Sequence, residues 1–309
     1  MRKTLTLLAV IVLVVAIGFG IGQWLMNPQP GPDNGPGPDG GAGLLSEQPE
    51  WCPAIELIAV PATGESRVDD DPTNPTASPI ALLLSVTRAM QTDYSTEDVK
   101  VWTTPYPAEI QSIQAPHLKT YDESQAIGRD AIKAEMSATH ADCPLTDYVL
   151  IGYSQGASIA GDIASEVGNG NGPVPAERVA GVALVGDPRR SPDQGMNPGV
   201  ELGGVGIEVA LAPMNMLVQN VTPGATMRGP RPGFGALNDR VQNICAPGDS
   251  FCDVPPAIPD AIARAGEMMA MAGAHTSYGF SQTIIPGTTP VAWIDGWVRG
   301  LIDASMARQ

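Results

Sequence analysis

Apolar residues in this chain fall into short continuous runs that are separated by turn residues and by longer amphipathic segments. A continuous apolar run, unlike an alternating one, indicates a strand that is buried on both faces, as in a parallel sheet. We predict strands over five such runs: IELIAV (55–60), VKVWTT (99–104), DYVLIGY (147–153), VAGVALVG (179–186) and RVQNIC (240–245).

Helical periodicity dominates the segments between and after these strands. We predict helices over residues 78–90, 119–138, 155–167, 258–271 and about 291–306. The alternation of strand and helix predicts an α/β fold, a three-layer α/β/α sandwich with a mostly parallel central sheet. Residues 188–238 differ, because they are rich in Gly, Pro and Met and hold one short helical pattern, at 205–217. Such an excursion is typical of a functional loop or a mobile insertion.

The first 43 residues have a different character from the rest of the chain. A basic start precedes an apolar stretch within residues 1–26, which is typical of an export signal. The stretch approaches the length that spans a bilayer and lacks a clear small-x-small cleavage site, so we favour an uncleaved membrane anchor over a cleaved signal peptide. Residues 27–43 are mostly Pro, Gly, Asn and Asp and predict an unfolded linker. We assign residues 44–309 to one folded domain on the outer side of the membrane.

Charge and cysteine content narrow the class of protein further. The formal net charge of -16 argues against nucleic acid or bare anionic lipid headgroups as partners. Four cysteines in an exported chain predict two disulfides, for which three connectivities exist. Of these we prefer the pairing of Cys52 with Cys143 and of Cys245 with Cys252.

A GxSxG motif follows the third predicted strand. Gly152, Ser154 and Gly156 lie between DYVLIGY and a run of small residues that predicts a helix. An exposed nucleophile requires a strand-to-helix turn so tight that glycine must flank it, and the helix N-terminus favours negative charge that develops beside it. This context predicts Ser154 as the nucleophile of a hydrolase.

The histidine that would activate this serine is narrowed down by chain order. In α/β-hydrolases the order is serine, acid and then histidine, so the base must follow Ser154. Only His275 does so; His117 is expected in a loop and His140 at the end of a helix. We predict His275 as the general base.

Two acids follow late predicted strands and are candidates for the residue that orients the histidine. Asp249 lies inside CAPGDSFC (245–252), where a disulfide across the loop would hold a carboxylate in place. Asp187 is interpreted as a turn residue with Arg189 and Arg190 as local partners. We therefore favour Asp249.

An oxyanion hole requires two hydrogen-bond donors near the nucleophile. The backbone N–H of Gln155, directly after Ser154, is the first candidate. The second donor usually comes from the loop after an early strand, which here is VPATGESR (60–67). Within it Thr63 offers both its N–H and its hydroxyl.

Taken together, these motifs resemble the cutinase family of α/β-hydrolases. The matching features keep the family order: Cys52, Cys143, GYSQG (152–156), the C-x3-D-x2-C loop with Asp249, and H-x-x-Y-G (275–279). The resemblance implies a hydrolase whose triad is Ser154, Asp249 and His275, and it implies the disulfide pairing given above. Three features differ from fungal cutinases: Thr63 stands where those proteins usually have serine, and the anchor and the long excursion are additional. These features look more like the cutinase-like envelope proteins of mycobacteria. For those proteins esterase, phospholipase and thioesterase activities are described.

The predicted function is therefore an exported serine esterase of the cell envelope that acts on lipid or medium-chain acyl esters. Methionines at positions 214, 216, 227, 268, 269 and 271 would suit an adaptable acyl groove, although ordinary core packing is the alternative. The chemistry needs no metal and no other cofactor. Two further hypotheses are an envelope acyltransferase that uses the same triad and a non-catalytic envelope-binding protein.

Overall fold

A five-stranded sheet forms the centre of the protein in this computed structural model, which describes residues 48–256 and 272–308. The strand order is β2-β1-β3-β4-β5, and each neighbouring pair is parallel. The order places the first strand near the middle, as in a doubly wound sheet, and the carboxyl ends of all five strands at one edge. The strands are β1 (Ile55–Val60), β2 (Val99–Thr103), β3 (Asp147–Tyr153), β4 (Val179–Val185) and β5 (Val241–Ile244).

Helices connect the strands and cover both faces of the sheet. Four longer helices make up most of the helical content, and short helices occur in the excursion and before the last segment. The helices are α1 (Leu84–Asp93), α2 (Tyr121–Asp142), α3 (Gln155–Gly168), α4 (Ile207–Ala210), α5 (Asn215–Val221), α6 (Ala272–His275) and α7 (Pro290–Met306). Single 3-10 turns lie at Ala176–Arg178, Ala212–Met214, Gly235–Arg240 and Ser277–Gly279.

Two hydrophobic clusters lie on opposite faces of the sheet. On one face, alternate β1 residues such as Leu57 pack with α1 and α7, for example with Met90 and Val298. On the other face, Ile58 packs with α2 and α3, for example with Ile159. Because every residue of β1 and of β3 is buried, both faces of these strands lie inside the core. The predicted three-layer sandwich is confirmed.

The predicted strands are confirmed to within one residue at their ends, whereas several helices differ. The helix predicted over 78–90 begins only at Leu84, because the preceding residues form turns and Leu82 donates its N–H to the carboxylate of Glu65. The pattern at 205–217 is divided into α4, a 3-10 turn with Pro213 and α5, since proline cannot continue a helix. The helix predicted over 258–271 lies outside the described residues.

Both predicted disulfides are present. Cys52, shortly before β1, is bonded to Cys143, directly after α2, and Cys245 is bonded to Cys252 across the loop that follows β5. The predicted anchor (1–26) and linker (27–43) lie outside the described residues. None of the helices in the described part of the chain has both the length and the apolar character required to span a bilayer.

Candidate active site

The GxSxG segment forms a sharp turn between β3 and α3. Ser154 has φ 55° and ψ -120°, a backbone conformation that costs energy for any residue except glycine. A Cβ atom at Gly152 would lie 2.5 Å from the carbonyl oxygen of Gly156, and one at Gly156 would lie 2.0 Å from that of Val60. The two flanking glycines are therefore required sterically. The Ser154 N–H donates to the Val185 carbonyl at 2.8 Å, which fixes the turn to the neighbouring strand.

Ser154, His275 and Asp249 meet above the carboxyl ends of the strands. Nε2 of His275 lies 2.8 Å from Oγ of Ser154, and its Nδ1 lies 2.8 Å from Oδ2 of Asp249. Asp249 is fully buried, while Ser154 and His275 are 8% and 9% exposed. The arrangement links a hydroxyl, an imidazole and a carboxylate in one hydrogen-bonded chain, with the carboxylate at its buried end.

The loop between Cys245 and Cys252 holds the carboxylate of Asp249 at several points. Oδ1 accepts the N–H of Phe251 at 2.8 Å. In the backbone, the N–H of Asp249 donates to the carbonyl of Ala246, and the carbonyl of Asp249 accepts the N–H of Asp253. Oδ2 accepts a hydrogen bond from the hydroxyl of Tyr278, in addition to facing His275. The disulfide closes this loop, so the carboxylate has little room to rotate.

Aromatic rings and one glycine fix the position of the imidazole. The ring of Phe251 lies 4.1 Å from that of His275, and the ring of Tyr153 is stacked at 5.3 Å. The Tyr153 hydroxyl donates to the His275 carbonyl at 2.6 Å. Gly186, at the end of β4, has φ 62°, and a Cβ atom there would lie 2.9 Å from Cε1 of the imidazole. A side chain at position 186 would therefore push the imidazole away from its present position.

The predicted oxyanion-hole residues are adjacent to each other. The hydroxyl of Thr63 donates to Oε1 of Gln155 at 3.1 Å, and the Gln155 side-chain amide donates to the carbonyl of Glu109 at 3.3 Å. Within the described part of the chain, the N–H of Thr63 has no acceptor, and that of Gln155 is the first of α3 and has no intrahelical partner. Both N–H groups are therefore without a partner in this part of the chain, and their role as an oxyanion hole stays a prediction.

Glu65 holds the loop that carries Thr63. Its Oε2 accepts the N–H of Ala62 at 3.0 Å, and its Oε1 accepts that of Leu82 at 3.1 Å. Gly64 donates its N–H to the carbonyl of Ala108 at 2.7 Å, which ties the loop on its other side. Burial raises the pKa of Glu65, while the two backbone N–H groups and the positive form of His275 act in the opposite direction.

The alternative acid and the other histidines lie elsewhere. Asp187 forms a buried ion pair with Arg231 at 2.6 Å, and it accepts the backbone N–H of Arg189 at 2.9 Å. The main partner of Asp187 is thus Arg231, which lies 44 positions further along the chain. The sequence-based interpretation named only the local residues Arg189 and Arg190 as partners. His117 is exposed in a turn, and His140 lies in the last turn of α2, where burial lowers its pKa.

Two residues of the site, Tyr278 and Glu65, have no role in the sequence-based prediction. Tyr278 belongs to the H-x-x-Y-G motif, and its three-residue spacing from His275 was the available signal. Glu65 follows Thr63 by two residues, but the sequence does not show that its side chain turns back to bind Ala62. Neither the hydrogen bond from Tyr278 to Asp249 nor the one from Ala62 to Glu65 leaves a periodic pattern in the sequence.

Among the described residues, one group has ligand atoms close enough together for a metal ion: Cys245, Asp249 and Cys252. Both sulfur atoms are bonded to each other in the disulfide, so they are not thiolate ligands. Oδ2 of Asp249 already interacts with His275 and Tyr278. The closeness of these three residues is therefore explained by the disulfide and by the position of Asp249 beside His275.

Comparison with known proteins gives a consistent result. The cutinase family model matches residues 73–278. A protein described as a carboxylesterase Culp6 homologue, from Corynebacterium glutamicum, is 46% identical over 307 residues, which are 98% of this chain and 99% of the relative. Carboxylesterase Culp1 of Mycobacterium tuberculosis is 37% identical over 79 residues, 26% of this chain and 35% of that protein. A solved acetylxylan esterase superposes with a TM-score of 0.51 at 16% identity, over 81% of this chain and 99% of its own, and supports the fold.

Proposed function

Because the chain belongs to the cutinase family and is a carboxylic ester hydrolase, we propose that it hydrolyses lipid or medium-chain acyl esters through an acyl-enzyme on Ser154. The observation that carries this proposal is the pair of 2.8 Å contacts that join Ser154 to His275 and His275 to Asp249. In this geometry the imidazole can take the hydroxyl proton as the oxygen attacks a carbonyl carbon.

The reaction divides into two half-reactions. Oγ of Ser154 forms a bond to the ester carbon while Nε2 of His275 takes its proton, and the carbonyl oxygen becomes an oxyanion. When the carbon–oxygen bond to the alcohol breaks, His275 returns the proton to the leaving group. Water then attacks the acyl-enzyme with the same proton transfers, and the acid is released.

Two sets of groups stabilise charge during these steps. The N–H groups of Gln155 and Thr63 donate to the oxyanion, and the N-terminal end of α3 adds a positive potential at the same place. Asp249 holds the imidazole in one orientation and stabilises its protonated form. The Thr63 hydroxyl is directed to Oε1 of Gln155, so it helps to orient the hole in addition to any contact with substrate.

The proposed substrate class is supported by the surroundings of His275. Phe251, which contacts the imidazole, packs against a small apolar cluster together with Met227 and Val218. An adaptable apolar surface of this kind suits a fatty acyl chain. Of the other methionines considered for the groove, Met214 is half-buried, Met216 is exposed, and those at 268, 269 and 271 lie outside the described residues. Phospholipase A and thioesterase activity are variants of the same chemistry.

The location that we propose is the cell envelope. Two disulfides favour an oxidising compartment. The apolar N-terminal segment would export the chain and anchor it, or be removed, and residues 44–309 would form the hydrolase domain outside.

The test uses p-nitrophenyl esters of increasing acyl length with the wild type, Ser154→Ala and a matched control, Ser165→Ala, on the same helix. We expect Ser154→Ala to lower kcat at least about ten-thousandfold, as is usual for loss of such a nucleophile, and Ser165→Ala to retain it. Wild-type activity in Ser154→Ala would refute the proposal. Product analysis with an added alcohol acceptor separates hydrolysis from acyl transfer.

A further inference from the structure

A cleft of about 250 Å³ lies between α2, the second half of α3 and the excursion. We call it the arginine cleft, because three guanidinium groups line it. Its lining residues are Arg129, Asp162, Ser165, Glu166, Asn169, Asn171, Arg189, Arg231 and Pro232. Asp162 is eight residues beyond Ser154 on α3, so the cleft begins roughly 12 Å along the helix from the nucleophile. It is therefore separate from the esterase site.

The charges around the arginine cleft do not balance. Asp162 forms ion pairs with four arginines, Arg129, Arg189, Arg228 and Arg231. Two other carboxylates share these cations, since Asp187 is paired with Arg231 and Glu208 with Arg228. Glu166 is neutralised separately by Lys133 at 2.6 Å. Four guanidinium groups thus face three carboxylates, which leaves one positive charge in a protein whose net charge is -16.

Electrostatic effects differ between the groups of this cluster. Burial lowers the pKa of Arg228 and of Arg231, but the neighbouring carboxylates outweigh it and raise both pKa values. Burial would raise the pKa of Asp162, but the guanidinium groups, Arg231 first among them, lower it to about 2. Burial lowers the pKa of Arg189, and the neighbouring charges of Arg231 and Arg228 lower it further, although Asp162 opposes them. An added anion would relieve this repulsion between cations.

Hydrogen-bond donors remain available in the arginine cleft. Arg231 is saturated by Asp162, Asp187 and the Ser158 carbonyl, so it contributes charge. Arg129, by contrast, makes two long contacts of 3.4 Å, both from Nη1. Its Nε and Nη2 groups have no acceptor in the described ranges 48–256 and 272–308, and the side chain is 24% exposed.

The lining also contains the uncharged polar side chains of Asn169 and Asn171. The amide nitrogen of Asn169 donates to the carbonyls of Ser165 and Gly233, and that of Asn171 donates to the Asn169 carbonyl. Their amide oxygens are the acceptors that hydroxyl groups of a ligand would meet. The lining thus combines cations with hydroxyl acceptors in one small space.

We propose that the arginine cleft binds the phosphate group of a small hydroxylated molecule, with Arg129 as the main donor. Unused guanidinium N–H groups in the described residues come from two parts of the chain. They belong to Nε and Nη2 of Arg129 on α2, and to Arg189 after β4, which uses three of its five N–H groups. Donors from two guanidinium groups suit a tetrahedral oxyanion better than a planar carboxylate, which a single guanidinium fork would bind. Such a group is carried both by free polyol phosphates and by glycerophospholipid headgroups.

The test measures binding of glycerol 3-phosphate by isothermal titration calorimetry, with the wild type, Arg129→Gln and Arg88→Gln. Arg88 is an exposed arginine on α1, at the other face of the sheet, and does not line the cleft, so it is the matched control. We expect saturable binding that Arg129→Gln weakens about tenfold or more and that Arg88→Gln leaves within about twofold of the wild type. Ser154→Ala should bind like the wild type.

Two further arms identify the source of the phosphate and the specificity of the cleft. Inorganic phosphate should compete with glycerol 3-phosphate, whereas acetate should not. Binding to phosphatidylglycerol vesicles that is lost in Arg129→Gln would identify a lipid headgroup as the source, and binding of glycerol 3-phosphate alone would identify a soluble ligand.

The proposal is overturned if the wild type shows no saturable binding of glycerol 3-phosphate at millimolar concentration. It is equally overturned if Arg88→Gln weakens binding as much as Arg129→Gln, or if acetate competes as well as phosphate. Esterase activity, measured in the same Arg129→Gln preparation, should be retained, which keeps this outcome separate from the test of Ser154.

Discussion

The hydroxyl of Tyr278 donates a hydrogen bond to Oδ2 of Asp249. The same carboxylate oxygen faces Nδ1 of His275, so the phenol and the imidazole share one acceptor. The Tyr278 hydroxyl also accepts the N–H of Ala246 at 3.0 Å. Burial, together with the charge of Asp249, raises the pKa of Tyr278 well above its ordinary value, so the phenol stays protonated and remains a donor. Tyr278 thus acts on the imidazole through the acid.

Replacement of this tyrosine tests its role as a positioning residue. In Tyr278→Phe, Asp249 loses one donor, so its negative charge holds the protonated imidazole more strongly. We expect kcat to fall about tenfold and the acidic limb of the kcat/KM profile to move to higher pH. The buried Ala246 N–H loses its acceptor, which should cost about 1–3 kcal/mol of stability.

Tyr148→Phe is the control for this effect. Its buried hydroxyl donates to the Met136 carbonyl at 3.2 Å, away from the acid. It should lower stability without moving the pH profile. An unmoved profile in Tyr278→Phe would assign Tyr278 a purely structural role.

The two disulfides should differ in their effects on activity and on stability. The Cys52–Cys143 bond closes a loop with a sequence separation of 91, and the Cys245–Cys252 bond one of 7. In the chain-entropy model, loss of the first bond costs about 4–5 kcal/mol and loss of the second about 2–3 kcal/mol. Because the second bond encloses Asp249, its double serine variant should show the larger loss of kcat, by about tenfold or more at a temperature where both variants are folded. If both variants lost kcat equally, and only to the extent that they unfolded, the result would contradict this account.

These results show which features the sequence could predict. Continuous apolar runs predicted the strands well, because burial on both faces leaves a signal in every residue of β1 and β3. The GxSxG turn was predictable because glycines at 152 and 156 leave space that no other residue could leave. Chain order then restricted the histidine to one position.

Other features depend on contacts between distant segments. The pairing of Asp187 with Arg231 and the bond from Leu82 to Glu65 join residues 44 and 17 positions apart, and neither has a local pattern. The late start of α1 has the same origin, since Glu65 binds the turn before it. The arginine cleft was not predicted because several of its cations lie in the excursion, where the sequence has no regular period.

Glu65 should be important for the oxyanion hole. In Glu65→Gln one carboxylate oxygen is replaced by an amide nitrogen that cannot accept a hydrogen bond, so either Ala62 or Leu82 loses its partner and the Thr63 loop shifts. Since the oxyanion contact forms only in the transition state, we expect kcat to fall about tenfold or more with little change in KM. Steady-state kinetics with a soluble acyl ester provide the measurement.

Asp70→Asn is the matched control, because Asp70 also accepts backbone N–H groups, those of Thr76 and Ala77, but holds a later turn of the same connection between β1 and α1. It should affect stability more than kcat. If Glu65→Gln retained wild-type kcat, the loop would not depend on Glu65.

Glu56 should make stability fall as pH rises. Burial in β1, with the charge of Glu135 adding to it and Lys100 opposing it, raises the pKa of Glu56 from 4.5 to about 7. The folded state therefore keeps a proton that the unfolded state releases between these values, and the free energy of unfolding decreases as pH rises through this window. The difference in the free energy of unfolding between Glu56→Gln and the wild type should shift in favour of Glu56→Gln by about 1–3 kcal/mol. This shift should occur as the pH rises from below 4.5 to above about 7.

Urea unfolding at a series of pH values measures this difference. Glu97→Gln, on an exposed glutamate, should show no such trend. A constant difference between Glu56→Gln and the wild type across the range would mean that Glu56 titrates normally.

Reaction with a fluorophosphonate tests the central claim most directly, because this reagent forms a bond only with a serine that a neighbouring base activates. Intact-mass analysis and peptide mapping should find one adduct per chain, on Ser154, and none in Ser154→Ala or after unfolding. His275→Ala should react much more slowly, since the base is lost. Absence of an adduct on Ser154 in the folded wild type, or an adduct that persists in Ser154→Ala, would contradict the account.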